Sequence, residues 1–182
     1  VARHGVVVDF GSSDSQIIDG VFSEMDQALL DVHGEASRDT LIKGNTLQSG
    51  RIGVIVGGGG RAVHCNDGPR HHVIHNRFSD LSTAGVSVSD YTPETFVRSN
   101  RFMDNSTHLL VTFGARDVLF EQNQVGVAAV TPITVALDDS AGVYVLNNAF
   151  ETGCSELDSH LVLGNAEPPR FEGNEWSSCA DE

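Results

Sequence analysis

The side chains best suited to chemistry cluster in one glycine-rich stretch. Residues 57–70 read GGGGRAVHCNDGPR, and His71, His72 and His75 follow at once. His64, Cys65, His71 and His75 carry the imidazole and thiolate donors that bind a transition metal. Their spacing matches no standard zinc signature, and strand alternation over 71–75 would aim several of them in different directions. A phosphate-binding glycine loop is disfavoured, because no Lys-Ser or Lys-Thr follows and no helix begins there. The adjacent carboxylates Asp138 and Asp139 are a second candidate, for acid–base work. The same run, Asp-Asp-Ser-Ala-Gly, is also ordinary turn composition. His108 and His160, each at the head of a Leu- and Val-rich segment, are the remaining acid–base candidates.

The elements that must position these groups are set by a repeated phrase. It reads apolar, two variable residues, Asn, one variable residue, apolar. The copies lie around Asn45, Asn76, Asn100, Asn123, Asn148 and Asn174, and an earlier copy has Gly20 in place of Asn. From residue 20 onward the anchors step by 25, 31, 24, 23, 25 and 26 residues. A period of that size marks a solenoid. A second pattern, small-apolar-variable-apolar, falls between the phrases, as in Gly53-Val54-Ile55-Val56 and Gly85-Val86-Ser87-Val88. Its alternation and Val content argue for short half-buried strands. Each repeat is therefore expected to hold three short strands, with the Asn at a tight bend between the second and third. Asn suits a bend because it tolerates left-handed backbone angles and its amide can bond the backbone. If coils stack about 4.8 Å apart, the six Asn side chains can bond one another in a ladder. The helix-like run over 23–30 (SEMDQALL) falls inside a turn, and no capping helix is evident.

The phrase gives three inward rows. The first is Val6, Leu30, Val54, Val86, Leu109, Ile133 and Leu161. The second is Ile17, Ile42, Val73, Val97, Phe120, Val145 and Phe171, and the third is Phe22, Leu47, Phe78, Phe102, Val125, Phe150 and Trp176. Seven coils result, in one all-β domain over residues 1–182. Open coil edges invite pairing, so the chain is expected either to belong to a longer helix or to stack head to tail with other copies. Its start at Val1 rather than Met suggests a processed chain or an excised fragment.

At this point the sequence resembles the right-handed parallel β-helix, the fold of the pectate-lyase-like superfamily. The resemblance covers essentially the whole chain. It implies a scaffold shared by polysaccharide lyases, glycoside hydrolases, adhesins and non-enzymatic coils. In the enzymes the substrate groove usually runs along the outward face of the first strands. A lyase there uses a strong base, commonly Lys or Arg, with carboxylates that hold calcium or act as acids. Here the corresponding positions are Val7, Asp31, Ile55, Ser87, Leu110, Thr134 and Val162, with His33, His108 and His160 among their neighbours. That face offers one carboxylate and no Lys or Arg, so it reads as a packing surface. Asp138 and Asp139, next to it, resemble the acid pairs of β-helical glycoside hydrolases. A second outward row, Leu41, His72, Phe96, Leu119 and Tyr144, makes an apolar stripe with Ile74 and Leu146. Leu41, Ile55, Phe96, Leu110, Leu119 and Tyr144 are thus the expected contact residues of a partner interface.

Cys154 and Cys179 each follow a third strand in adjacent coils, so the period places them nearly above one another. A disulfide between them, and hence an oxidising, extracellular setting, is expected; two buried free thiols are the alternative. The net charge is −14, from 25 acidic and 11 basic residues. That disfavours binding to nucleic acid or anionic membranes. A polyanionic ligand would need a local basic cluster or a bound cation to override the mean field. No apolar run approaches a membrane span. No cofactor is predicted; calcium or a transition metal is the ion these residue types would take. Function is read as structural, self-assembling or adhesive, with partners expected to be other copies of the chain. The alternative is a polysaccharide-active lyase or hydrolase, or a carbohydrate-binding piece of one.

Overall fold

The computed structural model describes residues 2–34, 36–57, 68–136, 140–151 and 160–177. The described residues form nineteen strands and no helix. Coil by coil these are β1 (His4–Val8), β2 (Gln16–Ile18) and β3 (Val21–Ser23), then β4 (Ala28–Val32), β5 (Leu41–Lys43) and β6 (Thr46–Val56). They continue as β7 (His71–Ile74), β8 (Arg77–Val88), β9 (Thr95–Arg98), β10 (Arg101–Met103), β11 (Asn105–Thr112), β12 (Arg116–Glu121) and β13 (Gln124–Val125). The last are β14 (Ala128–Ala136), β15 (Ala141–Leu146), β16 (Ala149–Phe150), β17 (His160–Leu163), β18 (Arg170–Glu172) and β19 (Glu175–Trp176).

Every pairing along the solenoid is parallel and joins equivalent strands of successive coils. The second strands form a seven-stranded sheet, so six solenoid steps separate its ends. The first and third strands form two further faces, joined into one twelve-stranded sheet. They join because β6 and β8 run through the corner unbroken, where the spacing predicts separate strands. The reason is local. In the first four coils that corner turns on one left-handed residue: Glu24, Ser49, Asp80 and Asp104 have φ of 62°, 54°, 55° and 53°. The β6–β8 ladder passes through with a register shift between Gly50 and Ile52, as a bulge allows.

Two of the three inward rows are those the spacing predicts. Ile42, Val73, Val97, Phe120 and Val145 are fully buried in register, as are Leu47, Phe78, Phe102, Val125 and Phe150. Phe78 and Phe102 stack with ring centroids 4.8 Å apart and 7° between planes. Each such side chain contributes roughly 1.5–3 kcal/mol on burial. The remaining row differs at its last member. Ile133 is in register with His160, not Leu161. Leu161 and Leu163 point out, 40% and 46% exposed, while His160 turns in toward Phe171 at 5.1 Å. His-Leu-Val-Leu alternates equally well in either register, and hydropathy alone favours the wrong one.

Candidate functional site

The Asn bend is the most regular feature of the molecule. Asn45 Nδ2 donates to Asn76 Oδ1 at 3.0 Å, Asn76 to Asn100 at 3.1 Å, Asn100 to Asn123 at 3.2 Å, Asn123 to Asn148 at 3.0 Å and Asn148 to Asn174 at 2.9 Å. Each Oδ1 also accepts the backbone N–H of the preceding Asn; Gly20 N–H donates to Asn45 Oδ1 at 2.8 Å. Each Nδ2 donates a second bond to a carbonyl one coil back, as Asn100 does to Val73. The ladder therefore satisfies buried polar groups and leaves no amide for chemistry. The left-handed residue is not the Asn but the one before it. Asp19, Gly44, His75, Ser99, Gln122, Asn147 and Gly173 have φ between 55° and 71°. Asn is needed for its side chain, not for its backbone.

On the outward face of the first strands, four titratable groups meet across two coils. Asp31 is 4% exposed. Its Oδ2 lies 3.0 Å from His4 Nδ1 and its Oδ1 2.9 Å from His33 Nδ1, while His33 Nε2 lies 3.3 Å from Asp9 Oδ2. The separations are those of charge pairs, although Asp31 Oδ1 and His4 Nδ1 receive no aligned hydrogen bond. Asp31 and His33 were visible in the sequence as neighbours of this face; His4 and Asp9 were not. The signal was the pairing of β1 with β4, which sets Val8 against Val32 and so brings Asp9 beside His33. A buried carboxylate flanked by two imidazoles can exchange protons with a ligand that reaches it.

The other predicted residues scatter. His108 does not face the outer groove: it is fully buried, with Nε2–H donating to the Gly126 carbonyl at 3.0 Å and Nδ1 accepting from Asn105 Nδ2 at 3.1 Å. Burial pushes its pKa down to about 4, so it is neutral and structural. His160 turns toward the core, as above. His71 is buried, its Nε2–H bonded to the Gly68 carbonyl at 2.8 Å, and burial lowers its pKa. His75 instead lines an outward groove, so the two do not converge. Among the described residues no group of three His, Cys, Asp or Glu is placed to hold a metal. His64, Cys65, Asp138, Asp139, Cys154 and Cys179 lie outside the described residues.

The interface candidates divide by face. On the first strands Ile55 is only 8% exposed and Leu110 is half-buried, so that face offers little apolar area. On the seven-stranded sheet Leu41, His72, Phe96, Leu119 and Tyr144 stand in register on successive strands. His72 stacks on Phe96 with centroids 4.7 Å apart, and the Arg170 guanidinium lies 5.6 Å from the centre of the Tyr144 ring. Leu41, Phe96, Leu119 and Tyr144 are half-buried and His72 is exposed. The stripe is thus a continuous, partly open band along the solenoid.

The chain belongs to the right-handed β-helix family: the family model described as a right-handed beta helix region matches residues 2–181. Comparison with curated proteins and with solved structures found no match. Among the described residues no helix is long and apolar enough to cross a membrane.

Proposed function

We propose that the protein is an extracellular, non-enzymatic β-helix that acts by contact, associating with other copies of itself through the outer face of its seven-stranded sheet. The observation that carries this reading is the in-register stripe of Leu41, His72, Phe96, Leu119 and Tyr144. Charge explains why a copy would meet it there. The row beside the stripe presents Lys43 and Arg98 against Glu121 and Glu172, Arg170 continues the stripe's own row beyond Tyr144, and Arg98 Nη2 pairs with Glu121 at 2.8 Å. A chain of net charge −14 repels its own copies over most of its surface, and least at this near-neutral face. Two stripes meeting about a two-fold axis would be self-complementary.

Light-scattering mass over a hundredfold range of concentration tests this reading. The parent is expected to grow in mass with concentration, and a Phe96→Ser/Leu119→Ser double variant to stay monomeric. A parent that is monomeric throughout overturns it.

One observation favours a second reading, acid–base action on a polysaccharide. It is the His4–Asp31–His33–Asp9 cluster on the face that resembles the substrate groove of β-helical enzymes. If a polysaccharide panel yields released sugar, Asp31→Asn should abolish the release while leaving the unfolding midpoint near that of the parent. Full activity in that variant would remove the cluster from consideration.

A further inference from the structure

The seven-stranded sheet carries a second outward row, two positions past the apolar stripe, and its charges are ordered. In register on successive strands it reads Lys43, Ile74, Arg98, Glu121, Leu146 and Glu172. That is positive, apolar, positive, then negative, apolar, negative. The sign reverses once, between β9 and β12, and each half mirrors the other with opposite charge. Inside one chain the arrangement satisfies only its middle. Arg98 meets Glu121 at 2.8 Å, while among the described residues Lys43 and Glu172, at the two ends, have no ion-pair partner.

Two copies that pack face to face through this sheet about a two-fold axis have two ways to do so. An axis along the solenoid brings each strand onto its own copy with the chain direction reversed. The two-row band then overlaps itself only by exchanging rows, which sets Phe96 on Arg98 and Leu119 on Glu121, apolar against charge. An axis along the strands keeps stripe on stripe and charged row on charged row, and reverses the order of the coils. Placed between β9 and β12, it sets Arg98 on Glu121, Lys43 on Glu172 and Ile74 on Leu146 across the interface. The stripe matches in the same operation: Phe96 meets Leu119, His72 meets Tyr144, and Leu41 meets the aliphatic stem of Arg170. Moving the axis onto β9 or β12 would set Arg98 on Arg98 or Glu121 on Glu121, so charge selects one register.

We propose that the protein forms an antiparallel homodimer whose two-fold axis runs along the strands between β9 and β12. The inference rests on the self-association proposed above and adds the orientation and register of the second copy. Each copy answers the other's charges, which gives Lys43 and Glu172 the partners they lack within one chain. About a dozen residues a side, against roughly 20–30 in a standard interface, make the dimer a weak and reversible one. Because each copy uses the same patch, the assembly closes at two and does not propagate through this face into a filament.

Carbodiimide crosslinking of the dimer, mapped by mass spectrometry of its peptides, tests this, because Lys43 is the only lysine of the chain. Within one chain Lys43 and Glu172 lie five strand steps apart, about 24 Å, beyond the reach of the two side chains. An amide between them can therefore form only between copies, and it is the link expected. Lys43→Glu and Glu172→Lys should each weaken the dimer about tenfold in light scattering, since each sets like charges together at both ends of the interface. An equimolar mixture of the two variants should associate as the parent does. Both positions are exposed, so the thermal midpoint of either variant at low concentration should match that of the parent. A parent that is monomeric at every concentration removes the association reading and this inference with it. A dimer without the Lys43–Glu172 link, one that either charge reversal leaves unchanged, or a mixture no tighter than its components overturns the antiparallel register and leaves the association reading standing.

Discussion

Replacing Asn100 by Ala tests the ladder at its centre. In the parent, Asn100 Oδ1 accepts from Asn76 N–H at 2.8 Å and from Asn76 Nδ2 at 3.1 Å, and its own Nδ2 donates to the Val73 carbonyl at 2.8 Å and to Asn123 Oδ1 at 3.2 Å. The variant removes all four bonds. Two of the partners keep another bond: Asn76 Nδ2 still reaches the Ile42 carbonyl at 3.0 Å, and Asn123 Oδ1 still accepts Asn100 N–H at 2.9 Å. The Asn76 N–H is left with no partner inside the solenoid, while the Val73 carbonyl loses its second donor and keeps its place in the β7–β9 ladder. The orphaned N–H costs about 1–3 kcal/mol and the bond lost at Val73 adds about 1 kcal/mol, so the loss is about 2–4 kcal/mol in all. That is a large part of the 5–15 kcal/mol typical of a domain. Asn174, at the last rung and only partly buried, loses fewer bonds, and water can replace them; Asn174→Ala should cost about 1 kcal/mol. Urea unfolding followed by circular dichroism reads both. With a slope of about 2 kcal/mol/M, Asn100→Ala should lower the midpoint by at least about 1 M. Equal, small losses in the two variants would refute the claim that the ladder works by satisfying buried groups.

The neutral, buried His108 makes stability depend on pH. Its folded pKa, pushed down to about 4 by burial, lies below the value of about 6.5 in the unfolded chain. The unfolded state therefore takes the proton first. The stability is complete above pH about 6.5 and is lost as pH falls toward 4, by about 3 kcal/mol. His108→Gln should lack that part of the loss in urea titrations at pH 7 and pH 4; parallel curves for parent and variant would count against it. Gly53 lies where a Cβ would come within 2.5 Å of the Gly85 carbonyl oxygen and 2.7 Å of the Phe78 ring. Gly53→Ala should therefore destabilise by about 1–3 kcal/mol through overpacking, checked by thermal unfolding. Val97 is fully buried in the core row, so Val97→Asp should yield no soluble folded protein; a product that melts like the parent would contradict the register.

The scaffold could be read from the sequence because one phrase repeats. The spacing of Asn45, Asn76, Asn100, Asn123, Asn148 and Asn174 implies both their stacking and the rows at Val97 and Phe102. Where the phrase is silent, the reading fails. Nothing in the alternation of residues 160–163 separates Leu161 inward from His160 inward. Nothing in the composition of β6 and β8 says that one left-handed residue would let a strand pass through the corner. The bend looked like a left-handed Asn because Asn tolerates that conformation, yet Asp19, His75 and Gln122 carry it. Sites made across coils were hardest to see. The His4–Asp31–His33–Asp9 cluster needs the register of β1 on β4, which a copy lacking its Asn leaves weakly marked.

Hydroxyl-radical footprinting at low and high protein concentration tests the contact role most directly. If copies associate through the seven-stranded sheet, Phe96, Leu119 and Tyr144 are oxidised at low concentration and protected at high concentration, while Val127 and Val130, exposed elsewhere at 53% and 68%, react equally in both. Unchanged oxidation of Phe96, Leu119 and Tyr144 across the range would contradict the account.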